Sequence, residues 1–319
     1  MKIGYIFAGQ GAQKQGMGED FHKHFESSRA VFDQANLALG YDLKTLIFQG
    51  PQEALNETEK TQPAILTTSI AMLKAFESLV DVKPSAVVGL SLGEYSAHVS
   101  AGSLQFTDAV QLVKKRGAYM QDAVPLGVGG MTALMGLSPE EAEAIVARAS
   151  EFGTVEICNY NAPNQIVIGG QLTALEMAHE FAKEAGARRV IPLAVSAPFH
   201  TSMLKPAEDN LAKEMESVMF YDMKVPVLTN VNGRIVSSVE EIPSYLAKQV
   251  TSSVRWIDCI ESMKKMGIDT LVEFGPGNAL SAFVSKIDKS IKVLSIYDLE
   301  SLYATVEAIK QTTTLETAI

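Results

Sequence analysis

Val87-Val88-Gly89-Leu90-Ser91-Leu92-Gly93-Glu94-Tyr95 joins a short β-branched run that begins at Ala86 to a helix-compatible run from Glu94 to Ser100. Between the two lies Gly-x-Ser-x-Gly, the layout of a nucleophile elbow. There a strand turns sharply into a helix, the flanking glycines relieve crowding, and the serine hydroxyl stands at the apex. Ser91 is therefore the candidate nucleophile. The pattern alone is unspecific in a chain with 23 glycines, so the reading depends on a base, oxyanion donors and a substrate anchor elsewhere in the chain.

Upstream, Ile3 to Ala8 reads as a buried strand running into Gly9-Gln10-Gly11-Ala12-Gln13. Lys14 stands where a dinucleotide loop needs its third glycine, and no Gly-Lys-Ser/Thr follows, so neither phosphate motif is met. The remaining use of such a loop is to bring a main-chain N–H close to a reacting group, which makes Gln10 a candidate oxyanion donor. Helical spacing covers Asp20 to Leu39 and Gln62 to Leu79. Thr107 to Asp122 is a further helix with Thr107 at its N-cap, and it carries Lys114-Lys115-Arg116. Such a run normally marks a solvated face, so Arg116 matters only if it points inward.

Downstream of Gly127 the pattern changes. Strands over Met131–Met135, Val155–Asn159, Ile166–Ile168 and Arg188–Val195 alternate with helices over 139–150 and 172–185; a capping box at Ser138 opens the first helix, and 161–164 form a turn. The order β-α-β-β-α-β predicts an inserted ferredoxin-like subdomain over 127–196. On either side, 1–126 and 197–319 alternate strands and helices, among them a strand over Val225–Asn230, helices over 203–218, 242–249 and 254–266, and a strand over Leu271–Phe274. The expected class is α/β: a large α/β-hydrolase-like domain with a mostly parallel sheet covered on both faces, plus the insertion.

Composition limits the function. The chain has 319 residues, 47% hydrophobic and 20% charged, and no apolar run of the length that spans a bilayer. Its first residues carry one positive charge and a run too short for a signal peptide. Cys158 and Cys259 lack metal-ligand spacing, so neither a disulfide framework nor a zinc site is expected, and the compartment reads as cytoplasmic. A formal net charge of −10 argues against nucleic acid or an anionic membrane as the partner.

A serine hydroxyl needs a base, most often histidine. His22 and His24 fall in the first long helix, His98 in the elbow helix and His179 in the insertion. His200, in the loop Ser196-Ala197-Pro198-Phe199-His200 after a strand, lies where catalytic groups of open α/β sheets gather. No carboxylate suited to complete a triad lies between Ser91 and His200. Either a later group such as Asp258 or Glu273, or a main-chain carbonyl, would orient the imidazole. From the residues alone the chemistry is acyl transfer or hydrolysis through an acyl-serine.

The motifs also coincide with a family. Phe7-Ala8-Gly9-Gln10-Gly11-Ala12-Gln13, the elbow, Lys115-Arg116-Gly117, Asn159-Tyr160-Asn161-Ala162-Pro163, Pro198-Phe199-His200 and Glu273-Phe274-Gly275-Pro276-Gly277 occur in order over nearly the whole chain. Together they resemble the bacterial malonyl-CoA:acyl carrier protein transacylase family. Leu90 departs from it, since many members have histidine before the serine, but no catalytic group is lost. The resemblance implies that Arg116 anchors the malonyl carboxylate and that a main-chain carbonyl near Gln249 holds His200. It further implies that the N–H groups of Gln10 and Leu92 bind the oxyanion, that Phe199 crowds any α-methyl branch, and that Asn161 contacts substrate. The Leu92 donor also follows from the elbow itself. Implied partners are malonyl-CoA as substrate and an acidic acyl carrier protein docking on a basic patch, for which Lys114, Lys115, Arg188 and Arg189 are candidates. No metal and no bound cofactor are implied, and a monomer is expected. The alternatives are a serine thioesterase, a discrete acyltransferase serving a polyketide synthase, and a catalytically idle scaffold.

Overall fold

Five consecutive buried residues, Ile3–Phe7, form strand β1 of the computed structural model, which describes residues 1–195 and 197–317, the side chains of 313–317 excepted. An unbroken apolar run suits a strand covered on both faces. It is followed by β2 (Ala86–Gly89), β3 (Gly129–Met135), β4 (Val155–Ala162), β5 (Gln165–Gln171), β6 (Arg189–Pro192), β7 (Thr270–Phe274) and β8 (Lys292–Ile296). The fold is mixed α/β with two sheets, one parallel in the order β2-β1-β7-β8 and one antiparallel in the order β4-β5-β3-β6.

Alternation along the parallel strands divides the core. Tyr5 and Phe7 of β1, Val87 of β2 and Val272 and Phe274 of β7 enter one cluster, while Ile6, Ala86, Val88 and Leu271 enter another. On the first face α1 (Thr58–Glu77) brings Phe76 against Tyr5 and Phe274, with ring centroids 6.1 and 5.5 Å apart. On the second, Trp256, Ile260 and Met263 cover the sheet. Burying each large apolar side chain contributes roughly 1.5–3 kcal/mol.

Register then positions the site. Phe7 lies opposite both Gly89 of β2 and Phe274 of β7, so three strands end level. The segments after them, at Gly9-Gln10, Leu90-Ser91 and Gly275-Pro276, emerge on one edge, where open parallel sheets form their ligand crevice. α2 (Gly93–Ser100) and α3 (Phe106–Asp122) follow the elbow.

The second sheet is built from β3, the helix Pro139–Ala149, β4, β5, the helix Leu172–Glu184 and β6, with all paired strands antiparallel. The Ser138 capping box forms in both directions, Glu141 N–H donating to the Ser138 hydroxyl at 3.2 Å and Ser138 N–H to the Glu141 carboxylate at 2.7 Å. The Tyr160 N–H donates to the Val254 carbonyl at 2.9 Å, tying β4 to the parallel part.

Several local expectations change. The helix expected over Asp20–Leu39 is two, Glu19–His24 and Glu26–Leu39, because Phe25 is extended (φ −121°, ψ 124°) and packs against the core. α3 is capped by Gln105, so Thr107 is not its N-cap. β4 runs on to Ala162 through two register shifts and leaves Pro163-Asn164 as the turn. The segment Val225–Asn230 makes only isolated bridges, Val87–Val227 and Leu228–Ile235, since Pro226 has no N–H to offer a ladder. Ser196 lies outside the described residues, so the loop before His200 is followed from Ala197.

Candidate active site

The elbow is a backbone-to-backbone contact. A Cβ on Gly89 would lie 1.9 Å from the carbonyl carbon of Gly93, and one on Gly93 would lie 2.2 Å from the Phe7 oxygen. Only hydrogen fits at either position. Ser91 (φ 52°) and His200 (φ 64°) are the two non-glycine residues with positive φ among the described residues. Such strain persists only where surrounding bonds hold it, and it concentrates at functional sites. Here the Ser91 N–H donates to Asn230 Oδ1 at 2.6 Å, and Asn230 Nδ2 donates to the Gly89 carbonyl at 2.8 Å. The His200 N–H donates to the Val250 carbonyl at 3.1 Å.

These bonds bring the two side chains together: Ser91 Oγ lies 2.8 Å from His200 Nε2. The other ring nitrogen, Nδ1, is 2.9 Å from the main-chain carbonyl of Gln249. A carbonyl can only accept, so Nδ1 carries the proton and Nε2 faces the serine with a lone pair. Neither carboxylate considered from the sequence takes this place. Asp258 pairs with Arg255, and Glu273 accepts the N–H groups of Leu280 and Ser281, both at 3.0 Å, at the start of the helix Ala279–Ile287. Burial, and next the charge of Arg116, lower the His200 pKa to about 4.

Arg116 points inward and is 1% exposed. Its neighbours turn outward, Lys114 to Glu59 at 3.7 Å and Lys115 to Glu214 at 2.5 Å. A sequence signal for this exists: Arg116 stands three residues past Val113 and four before Met120, both buried on α3, and so lies on the apolar stripe. The guanidinium donates from Nη2 to Ser91 Oγ at 3.1 Å and to Gln249 Oε1 at 2.8 Å, and from Nη1 to Gln62 Oε1 at 2.8 Å. The Tyr95 ring centroid is 5.4 Å away. Burial lowers the Arg116 pKa from its ordinary value, but a guanidinium stays protonated in proteins. Gln62, Asn230 and Glu94 were not singled out by the sequence, although Gln62 and Glu94, polar residues within buried helical runs, carried a visible signal.

A cleft of about 290 Å³ opens over this pair, lined among others by Gln10, Ser91, Met120, Asn159, Asn161, Phe199 and His200. Leu92, next in the chain to Ser91, is fully buried. The Gln10 side chain is held by Thr58 and Gln62 at 3.4 and 3.3 Å. Among the described residues no hydrogen bond engages the main-chain N–H of Gln10 or Leu92. Asn161 Oδ1 is buried without a partner.

The acyl transferase domain family matches residues 4–312. Over 311 residues, 97% of this chain and 98% of the relative, the protein is 40% identical to the malonyl CoA-acyl carrier protein transacylase of Bacillus subtilis. The chain belongs to the malonyl CoA-acyl carrier protein transacylase family. The crystal structure of the transacylase from Clostridium perfringens superposes with TM-score 0.96 at 47% identity, covering 99% of this chain and 100% of that one. A type II PKS acyl-carrier protein in complex with its malonyl-transacylase gives 0.94 at 38% identity, covering 97% of this chain and 100% of that one. In this transacylase-family chain the other histidines stand apart from the cleft lining. His98 is buried, with Nδ1 2.8 Å from the Ser103 hydroxyl, and burial lowers its pKa to about 3.

Proposed function

We propose that the protein transfers the malonyl group of malonyl-CoA to the phosphopantetheine thiol of acyl carrier protein, through a malonyl ester on Ser91, in the supply of fatty acid biosynthesis. The observation that carries this reading is a buried guanidinium 3.1 Å from the candidate nucleophile. Its donors now meet three neutral oxygens, from Ser91, Gln62 and Gln249. A carboxylate would replace these with charge-assisted, bidentate bonds, and an acyl group without one would not.

In the first half-reaction His200 Nε2 takes the Ser91 proton as Oγ attacks the thioester carbonyl, and the Gln249 carbonyl stabilises the imidazolium through Nδ1–H. The N–H groups of Leu92 and Gln10 receive the oxyanion. Collapse breaks the C–S bond, and coenzyme A leaves with the proton from Nε2. The second half-reaction is the reverse, with the carrier thiol as nucleophile. Phe199 narrows the space beside the acyl α-carbon, and the unpartnered Asn161 Oδ1 is suited to accept an N–H from the pantetheine arm. Neither metal nor resident cofactor is required. A cleft wall of Met120, Met131, Val167, Leu193, Phe199 and Phe283 disfavours water and supports transfer over hydrolysis.

The same reading takes 1–126 and 197–319 as an α/β-hydrolase-like domain, 127–196 as its ferredoxin-like insertion, and the protein as a cytoplasmic monomer. Lys114 and Lys115 are already paired, so Arg188 and Arg189, exposed at β6 near the cleft-lining Leu193, are the better candidates for an acidic carrier.

The test is intact mass after brief exposure to malonyl-CoA. A malonyl adduct on the Ser91 peptide that discharges onto carrier protein supports transfer, and rapid release of free malonate would establish the thioesterase alternative. A pH profile adds a second check. The base is the neutral imidazole, and a pKa lowered from 6.5 to about 4 keeps it neutral through the mildly acid range. Hence kcat/KM for malonyl-CoA is expected to hold down to about pH 5 and to fall as pH drops through about 4. A fall centred near 6.5, the ordinary histidine value, would contradict the buried environment.

A further inference from the structure

Arg116 is a buried cation whose hydrogen-bond acceptors are all neutral oxygens. Behind it lies a buried carboxylate in the complementary situation. Glu94 is fully buried, and its Oε2 accepts the Asn230 N–H at 2.9 Å and the Gln249 side-chain N–H at 2.5 Å. One carboxamide therefore spans the two charges: Gln249 donates from Nε2 to Glu94 and accepts at Oε1 from Arg116. A carboxylate can only accept and a guanidinium can only donate, so this orientation of the amide bonds Glu94 Oε2 and Arg116 Nη2, and the Ser91 carbonyl at 3.0 Å as well, whereas the opposite one would bond neither charge; Glu94 Oε1 and Arg116 Nε stay without a partner. Bonds chained in this way polarise and reinforce one another in a dry interior.

We propose that Glu94 is a positioning residue for Arg116, setting the Gln249 carboxamide so that the guanidinium fork is held fixed beside Ser91. The groups facing Glu94 are consistent with this role. Arg116 from α3 favours its charged form, while Tyr95 on its own helix and Cys259 from the helix Trp256–Lys265 are themselves pushed toward their neutral forms by burial. Burial raises the Glu94 pKa to about 7, against the pull of the Asn230 and Gln249 bonds and of Arg116. Gln249 also presents its main-chain carbonyl to His200, so the same residue serves the base and the anchor.

The inference rests on Arg116 being the carboxylate anchor, and the experiment separates the two claims. Steady-state kcat and KM are measured with malonyl-CoA and acetyl-CoA for R116A, E94A, E94Q and the double variant E94A/R116A. Loss of general packing would lower both thioesters alike. Displacement of the fork is expected to lower the malonyl-to-acetyl ratio of kcat/KM by about tenfold or more in E94A, mainly through KM for malonyl-CoA. E94Q keeps an oxygen for both donors and is expected to retain most of the ratio. In the R116A background E94A is expected to change the ratio no further. If E94A does not fold, E94D, one methylene too short to reach both donors, is expected to show the same selective loss. An R116A ratio that falls while E94A or E94D lowers both substrates equally would overturn the Glu94 proposal alone. An R116A ratio equal to that of the unmodified enzyme would overturn the anchor, and the inference with it.

Discussion

Replacing Ser91 with alanine is expected to abolish the malonyl adduct and to lower transfer to the carrier thiol by at least about ten-thousand-fold. The hydroxyl is the atom to which the surrounding groups are directed. His200 Nε2 stands 2.8 Å from it, Arg116 Nη2 stands 3.1 Å from it, and the main chain on which it sits is held in the left-handed region by Asn230. Alanine leaves the Asn230 bond in place, since that bond is made by the main-chain N–H, so the fold should survive with little change in Tm. Intact mass and turnover measured on the same preparation decide the matter. A variant that still takes up one malonyl group would place the nucleophile elsewhere.

Replacing Arg116 with alanine is expected to lower kcat/KM for malonyl-CoA by at least about a hundredfold while leaving acetyl-CoA turnover nearly unchanged. The asymmetry follows from burial. A malonyl carboxylate brought into a cleft without its cation is desolvated and unpaired, whereas an acetyl group brings no charge that needs one. Removing the guanidinium also strands Gln62 Oε1 and Gln249 Oε1, so some loss of stability accompanies the change and the ratio between substrates is the informative quantity. Arg116→Lys keeps the charge but not the planar fork, and it should recover only part of the preference. Equal losses on both thioesters would remove Arg116 from substrate selection.

Much of this site could be read in advance because its signals are local. A β-branched run, two glycines four apart around a serine, and a helix-compatible run define the elbow within nine residues. His200 could be found by elimination, because the other four histidines fall within helical patterns. The apolar run from Ile3 to Ala8 likewise announced a buried strand, and the structure has one over Ile3–Phe7. The seam of the antiparallel hairpin was less legible: β4 absorbs two register shifts, which no alternation pattern records. The break at Phe25 was invisible for a related reason, since helical spacing continues across it and only the core contact favours an extended residue.

Chain chemistry alone proposed a serine on a strained turn and a loop histidine; Arg116 entered as an anchor only through the family resemblance. Folding decided which partners surround them. A main-chain carbonyl is present at every residue, so nothing in the side chain of Gln249 announces that its carbonyl would orient His200 across 49 positions. The Ser91 to Asn230 bond spans 139 positions and the Gln249 to Glu94 bond 155, so both exist only because three parallel strands end level and the helices close over them. Residue type limits which bonds a group can make, and only packing brings distant partners within the roughly 3 Å at which those bonds form.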